Sequence, residues 1–315
     1  MRTKKLLTAA VVIFTTISCN QQKVTNILKQ TDFQKPPVAD IKPETLTNFG
    51  QVRIDNYYWM KDKNNPKVID YLKTENAYTD TVMASTKDLQ KKIYDEIIGR
   101  IKEDDQSYPT LSNGYYYYTR TEKGKQYRTY CRKKGSEKAA EEIIFDVNKM
   151  AEGKPAYMFE GYDISPDNKL AGYFFNETGS FADYILKIKD LTTGKDLDLT
   201  IKGASSFAWA NDNKTLFYTL IDPVTLRSYR VYRQVLGNPK ANLIYEEKDA
   251  KFSLGVSDSK TKDYIFISIN STTTSEERFV SANKPTETFK VFMPRVKDVD
   301  YSVFTHKDYF FIRYK

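Results

Sequence analysis

Histidine and cysteine are almost missing from this chain: 315 residues contain one His, His306, and two Cys, Cys19 and Cys131. So small a set excludes a zinc site of the Cys/His type, and no Asp-x-Asp-x-Asp-Gly loop is present to hold calcium. Glycine, at 13, and proline, at 11, are too few for a collagenous or low-complexity chain. Long apolar runs are also lacking, since the uncharged stretch over residues 6–18 falls short of the ~20 residues a spanning helix needs. Surplus charge is modest: the net value is +8, and Arg2, Lys4 and Lys5 supply three of those positives. With acidic residues interleaved through the remainder, this is an ordinary solvated surface, and it gives no footprint for nucleic acid. What the chain does have is 24 Tyr and 18 Phe among 40% hydrophobic residues. Aromatics in that number favour pleated, half-buried surfaces and a mainly β fold with a sizeable core.

The N-terminus has the layout of an export signal, with Arg2, Lys4 and Lys5 ahead of the uncharged stretch. Its end, Thr16-Ile17-Ser18-Cys19-Asn20, resembles the bacterial lipobox, with Thr16 where Leu is usual. The expectation is a lipoprotein signal peptide over 1–19, lipidation at Cys19, a polar tether over 20–40, and an exported, membrane-anchored protein of the cell envelope, on the periplasmic side. With Cys19 acylated, Cys131 has no disulfide partner.

Asn65-Pro66 places an N-cap before a Pro at the first helical position, predicting a helix to about Ala84. Leu89, Ile93, Ile97 and Ile101 recur every four residues, predicting a second helix that ends near Lys102. From Thr110 the period becomes that of strands. A tyrosine-rich run over 114–120, a turn at Lys123-Gly124-Lys125 and a run over 127–132 read as a hairpin. Polar turns then recur ahead of apolar runs: Ser165-Pro166-Asp167-Asn168-Lys169, Ala210-Asn211-Asp212-Asn213-Lys214, Ser257-Asp258-Ser259-Lys260 and Thr305-His306-Lys307-Asp308. Four-stranded units at intervals of about 45–48 residues are the mark of β-propeller blades, with an ordinary β-sandwich as the competing reading. The count is about four and a third blades over 106–315, after an N-terminal helical segment over 41–105. Because an unclosed propeller exposes a strand edge, the chain is expected to be the front part of a longer polypeptide or one half of a split gene.

A collinear set of motifs runs along the chain, beginning with Arg53-Ile54-Asp55-Asn56-Tyr57-Tyr58-Trp59-Met60, Tyr71-Leu72-Lys73-Thr74-Glu75-Asn76-Ala77-Tyr78-Thr79 and Arg100-Ile101-Lys102-Glu103-Asp104-Asp105. It continues through Tyr117-Tyr118-Thr119-Arg120, Gly124-Lys125-Gln126-Tyr127, Tyr130-Cys131-Arg132, Asp146-Val147-Asn148, Ser165-Pro166-Asp167 and Thr272-Thr273-Thr274-Ser275-Glu276. With these motifs, residues 36–315 resemble the N-terminal part of oligopeptidase B, within the prolyl oligopeptidase family of serine peptidases. Asn56, Met60 and Arg128 depart from the family pattern, which has Pro, Leu and Pro there. The resemblance implies a seven-bladed propeller that gates access to an α/β-hydrolase domain, on which the helical segment packs. It further implies peptide substrates cut after Lys or Arg, no cofactor, and a Ser-His-Asp triad lying wholly in the hydrolase domain, supplied in cis or in trans.

This chain carries no such triad. No Gly-x-Ser-x-Gly elbow occurs, and the nearest string, Gly255-Val256-Ser257-Asp258-Ser259, lacks the last Gly. His306 sits in a polar turn, Cys131 lacks a neighbouring His to activate it, and Glu103-Asp104-Asp105 reads as a solvated turn. Gly194-Lys195 and Gly124-Lys125 lack the spacing of a phosphate loop. No catalytic, cofactor or metal residue is therefore assigned; Cys19 is the one modification site. The competing function is a non-catalytic propeller lipoprotein that binds a peptide or protein partner.

Overall fold

The structure is a computed structural model and describes residues 35–314; the signal segment, Cys19 and most of the tether lie outside the described residues. The chain divides into two compact units, one through Lys102 and one from Glu103 onward.

The first unit opens with a hairpin of β1 (Glu44–Asn48) and β2 (Gln51–Asp55), which the helical reading of this segment had not included. Its turn uses Phe49 and Gly50, both at positive φ. A two-residue turn of this kind matches strand twist, but Phe in the left-handed region is rare, so the sequence signal was weak. Helix α1 (Pro66–Met83) starts where expected: the Asn65 side chain accepts the Lys67 N–H at 3.0 Å, and Pro66 stands where no amide donor is needed. Helix α2 (Lys87–Gly99) ends at Gly99, short of Lys102, and its Leu89, Ile93 and Ile97 stripe is about half exposed within this unit.

The second unit is a succession of antiparallel meanders. The first sheet comprises β3 (Asp105–Gln106), β4 (Thr110–Ser112), β5 (Tyr115–Thr121), β6 (Thr129–Lys134) and β7 (Glu141–Asp146), followed by the short helix α3 (Val147–Ala151). β3 and β4 both pair with β5 and act as one inner strand broken around Tyr108-Pro109, where proline cannot donate to the ladder. The second sheet is β8 (Met158–Ile164), β9 (Leu170–Asn176), β10 (Ile185–Asp190) and β11 (Asp196–Lys202). The third is β12 (Ala204–Trp209), β13 (Thr215–Ile221), β14 (Ser228–Val235) and β15 (Asn242–Glu246). The fourth is β16 (Ser253–Asp258), β17 (Tyr264–Asn270), β18 (Ser275–Ser281) and β19 (Lys290–Val291), and a hairpin of β20 (Tyr301–His306) and β21 (Tyr309–Tyr314) begins a fifth.

Every sheet pairs its strands in sequence order, as propeller blades do, whereas a sandwich would exchange strands between sheets. The fifth blade is present as two strands, one more than the opening strand expected, because 301–306 precedes the turn that the sequence pattern had used as its start.

Period-two alternation explains how the blades stack. On β13, Leu216 and Tyr218 pack with Leu186, Ile188 and Trp209 toward blade two. Phe217 points the other way, joining Val231, Ile265, Ile267 and Ile269 toward blade four. Between blades one and two, Phe145 lies 4.8 Å from Tyr173 and 5.3 Å from Tyr162 in an aromatic layer with Phe159 and Tyr130. Blade four meets the fifth hairpin through Tyr264, Phe279, Phe292 and Phe310. Both faces of each middle blade are buried, which accounts for the aromatic content.

Candidate functional site

The recurring polar turns fall at one place, between the first and second strands of successive blades. Ser165, Ala210 and Ser259 donate their N–H groups to the carbonyls of Leu170, Thr215 and Tyr264 at 2.8–2.9 Å, closing equivalent loops. Asn168, Asn213 and Lys262 occupy the same left-handed position, with φ of 60–62°. Asn tolerates that region because its short polar side chain bonds locally.

These turns are laced to one another. Asn113 donates to the Pro166 carbonyl at 2.6 Å, and Asn168 returns a bond to the Asn113 carbonyl at 3.1 Å. The Asp167 amide donates to Asn213 Oδ1 at 2.8 Å, and Asn211 donates to the Lys262 carbonyl at 2.9 Å. Thr261 and Thr305 share a hydroxyl bond at 3.0 Å with the fifth hairpin. The ends of the inner strands are thereby held in a fixed rim.

Inside that rim lies a cavity of about 740 Å³. Tyr117 comes from blade one, Tyr162 and Asp163 from blade two, Trp209 from blade three, and Asp258 and Lys262 from blade four. The Trp209 indole N–H donates to the Asp163 carbonyl at 3.3 Å, which fixes the ring beside that strand end. Lys262 Nζ bonds Asp258. Burial pushes the Asp163 carboxyl above the usual carboxylate range, with Lys262 opposing and Asp258 reinforcing the rise. Desolvation pulls the Lys262 ammonium down, but Asp163 and Asp258 prevail and hold it above its ordinary value. Burial likewise raises the Tyr117 phenol against the opposing pull of Arg132.

The residues weighed from sequence lie elsewhere or in supporting roles. Cys19 lies outside the described residues. His306 closes β20, with the Phe311 ring 6.4 Å away as its aromatic neighbour. Cys131 is fully buried on β6, and burial, reinforced by Glu141, pushes its thiol up to about 11, so the thiolate needed for nucleophilic chemistry is disfavoured. Glu103 and Asp104 anchor the first blade: Thr121 Oγ1 donates to the Glu103 carbonyl at 2.6 Å and the Lys123 amide to Asp104 at 2.7 Å. The Gly255-Val256-Ser257-Asp258 string is inner strand, its Val256 amide donating to Ser206 Oγ at 2.9 Å, with none of the sharp strand-to-helix turn of a nucleophile elbow. Among the described residues, no three His, Cys, Asp or Glu converge to hold a metal.

Asp163, Trp209 and Lys262 were not singled out from sequence. The available signal was positional: each lies within or next to a recurring turn, and Ile164, Trp209 and Asp258 are the equivalent last residues of their inner strands.

The comparisons agree with this architecture. Residues 36–315 match the family model described as prolyl oligopeptidase, N-terminal beta-propeller domain. The dipeptidyl aminopeptidase BI of Pseudoxanthomonas mexicana is 37% identical over 96% of this chain and 43% of its own length. Protease 2 of Moraxella lacunata is 31% identical over 85% of this chain and 40% of its own. Oligopeptidase B from Leishmania major superposes with a TM-score of 0.80 at 31% identity, covering 86% of this chain and 41% of that one. The chain thus spans less than half the length of the relatives it matches. With the family model covering residues 36–315 and the blades stacked in sequence order, this chain belongs to the prolyl oligopeptidase N-terminal β-propeller family.

Proposed function

We propose that this chain is the substrate-gating propeller of an oligopeptidase-B-like serine endopeptidase that hydrolyses peptides after Lys or Arg, with the nucleophile, base and acid residing in an α/β-hydrolase domain supplied in cis or in trans. The observation that carries the reading is the rim itself: inner strands of four blades held in register by bonds between their turns, around a cavity of about 740 Å³. Its contribution is size selection and orientation, while the hydrolase domain performs acyl transfer, a serine attacking the scissile carbonyl with His backed by Asp as proton carrier. The half-exposed apolar stripe on α2 supports a role for the first unit as a packing surface for that domain.

The leader, with Cys19 at the end of a lipobox-like string, supports lipid anchoring at the cell envelope. Removal of dipeptides from a free N-terminus is a second reading, favoured by the name of the 37% identical relative.

The test is the protein's mass and activity in its own envelope fraction, detected with an antibody to residues 40–315. The expected result is a species well above 36.6 kDa, or a chain of 36.6 kDa or less bound to a hydrolase partner, that cleaves after Lys or Arg and is blocked by a serine-directed phosphonate. A species of 36.6 kDa or less, without partner or hydrolysis, overturns the proposal in favour of a non-catalytic binding lipoprotein. Comparing acetylated with free N-termini separates endopeptidase from dipeptidyl action.

A further inference from the structure

Buried glutamates in blades three and four divide into two kinds. Glu247 and Glu276, each 5% exposed, hold Arg295, and Glu276 also holds Arg278. Glu277, 6% exposed, has no ion-pair partner among the described residues, and the one donor to its carboxylate there is the Ser268 hydroxyl at 2.8 Å.

Strand alternation explains the difference. On β17 and β18, Tyr264, Phe266, Ser268, Glu277 and Phe279 share the face turned to the fifth hairpin, where Phe310 lies 5.0 Å from Tyr264 and 5.5 Å from Phe279. Glu276 and Arg278 project from the opposite face. The Glu277 carboxyl is therefore set in the seam between blade four and the hairpin, among the groups that fasten the two. Its own N–H donates to the Tyr301 hydroxyl at 3.0 Å, and its carbonyl accepts the Phe292 N–H at 2.8 Å. Ser275 Oγ, two residues before it, accepts the Tyr301 N–H at 2.6 Å and donates to the Tyr301 carbonyl at 2.7 Å.

We propose that this seam is a proton-controlled joint in the propeller wall, closed while Glu277 is neutral and loosened when its carboxyl gives up its proton to solvent. The inference goes beyond the peptidase reading, since it holds whether the rim passes a substrate or captures a ligand.

The surroundings leave the carboxyl without a counter-charge. Tyr264 and Lys290 lie on the same face of blade four, Lys290 opposite Phe279 at the exposed outer edge and in no ion pair among the described residues. Strand β16 brings Gly255 opposite Ser268. Tyr301 and Tyr314 are the titratable groups on the near face of the hairpin, and Asp298 and Asp300 precede it, with Asp298 accepting the Thr273 hydroxyl. Arg278 and Arg295 are engaged by Glu276 and Glu247. Burial against the aromatic layer pushes the Glu277 carboxyl up to about 7 in spite of the Ser268 bond, so its charge changes near neutrality. Because the folded value is the raised one, the closed joint is fully favoured below the ordinary carboxyl range and weakens as pH climbs through 7. Opening hydrates the carboxylate and relieves that cost.

The test is hydrogen exchange of the full chain read by mass spectrometry from pH 6 to 9, with each rate normalised to the intrinsic rate at that pH. With the exposed carboxyl at its ordinary 4.5, opening of 301–314 should rise about tenfold between pH 6 and 8 and then level off. In sub-denaturing urea these amides should exchange at a nearly constant rate, the mark of a local opening, whereas β13 in blade three follows global unfolding. Glu277→Gln should erase the rise. Ser268→Ala, which removes the hydroxyl that favours the charged form, should carry the rise to higher pH before it levels off, an independent check if Glu277→Gln fails to fold. Equal protection of 301–314 at pH 6 and 8, a rise that survives Glu277→Gln or levels off at the same pH in Ser268→Ala, or a urea dependence matching that of β13 overturns the proposal.

Discussion

Removing Arg295 should loosen the joint between blades three and four more than any surface ion pair could. Arg295 follows the last strand of blade four and reaches back with Nη2 to Glu247 at 2.6 Å and with Nε to Glu276 at 3.1 Å. Glu276 also accepts from Arg278 at 2.7 Å, and Glu247 from the Tyr245 hydroxyl at 2.8 Å and the Asp249 amide at 2.9 Å. Both carboxylates are about 5% exposed, and the Arg295 guanidinium lies 3.9 Å from the Phe252 ring centroid.

Arg295→Met keeps the length of the stem and deletes the charge, leaving two buried carboxylates to repel. Breaking one side of a buried pair costs roughly 3–5 kcal/mol. Because the Arg295 side chain is 25% exposed and Arg278 stays on Glu276, the lower end applies, about 3 kcal/mol. For a unit of this size that is a fall in Tm of about 6–12 °C.

The assay is urea unfolding of the wild type, Arg295→Met, Glu247→Gln and the double variant. The double should recover more than about 1 kcal/mol relative to additivity, since Gln leaves no charge to strand. Burial raises the Glu247 pKa, but Arg295, the Asp249 amide and Tyr245 more than offset it, so the folded value lies below the ordinary one. Its stabilisation is therefore complete above the unfolded pKa and drains as pH falls through the folded value, a loss that Arg295→Met should diminish. A loss under about 1 kcal/mol with additive behaviour would refute the buried-network account.

Glu277 should act in the opposite sense. Burial pushes its carboxyl up to about 7 against the Ser268 bond, so the folded state is favoured at low pH and loses on the order of 3 kcal/mol as pH rises from the ordinary carboxyl range through 7; Glu277→Gln should flatten that slope in pH-dependent melting. Gly172→Ala places a Cβ 2.5 Å from the Phe207 ring, which is itself packed on Phe174 and Trp209, and should cost about 1–3 kcal/mol in denaturant unfolding. Asn213→Ala should cost about 1–2 kcal/mol through its left-handed backbone and the lost acceptor for the Asp167 amide, with Asn213→Gly restoring the backbone share only. Cys131 should resist thiol reagents in the native state and react at the unfolding rate, and rapid native labelling would contradict its burial.

Local chemistry was readable in the sequence wherever one segment carries its own instructions. Asn65-Pro66 announces α1, apolar runs following polar turns announce the second strands of blades two to four, and the turns containing Asn168 and Asn213 mark the repeat that makes a propeller. The β1–β2 hairpin escaped because Phe49 holds a backbone conformation its residue type rarely adopts. Only the tertiary structure brought Asp163, Trp209 and Lys262 to one cavity and Glu247, Glu276 and Arg295 to one network. Each of these residues looks like an ordinary member of a strand end or loop until the blades stack. Hydrogen-bond period and turn geometry act over a few neighbours and are written in sequence order, whereas the partial burial of Asp163 and its placement near Lys262 arise from elements that meet only when the inner strands gather around a common axis.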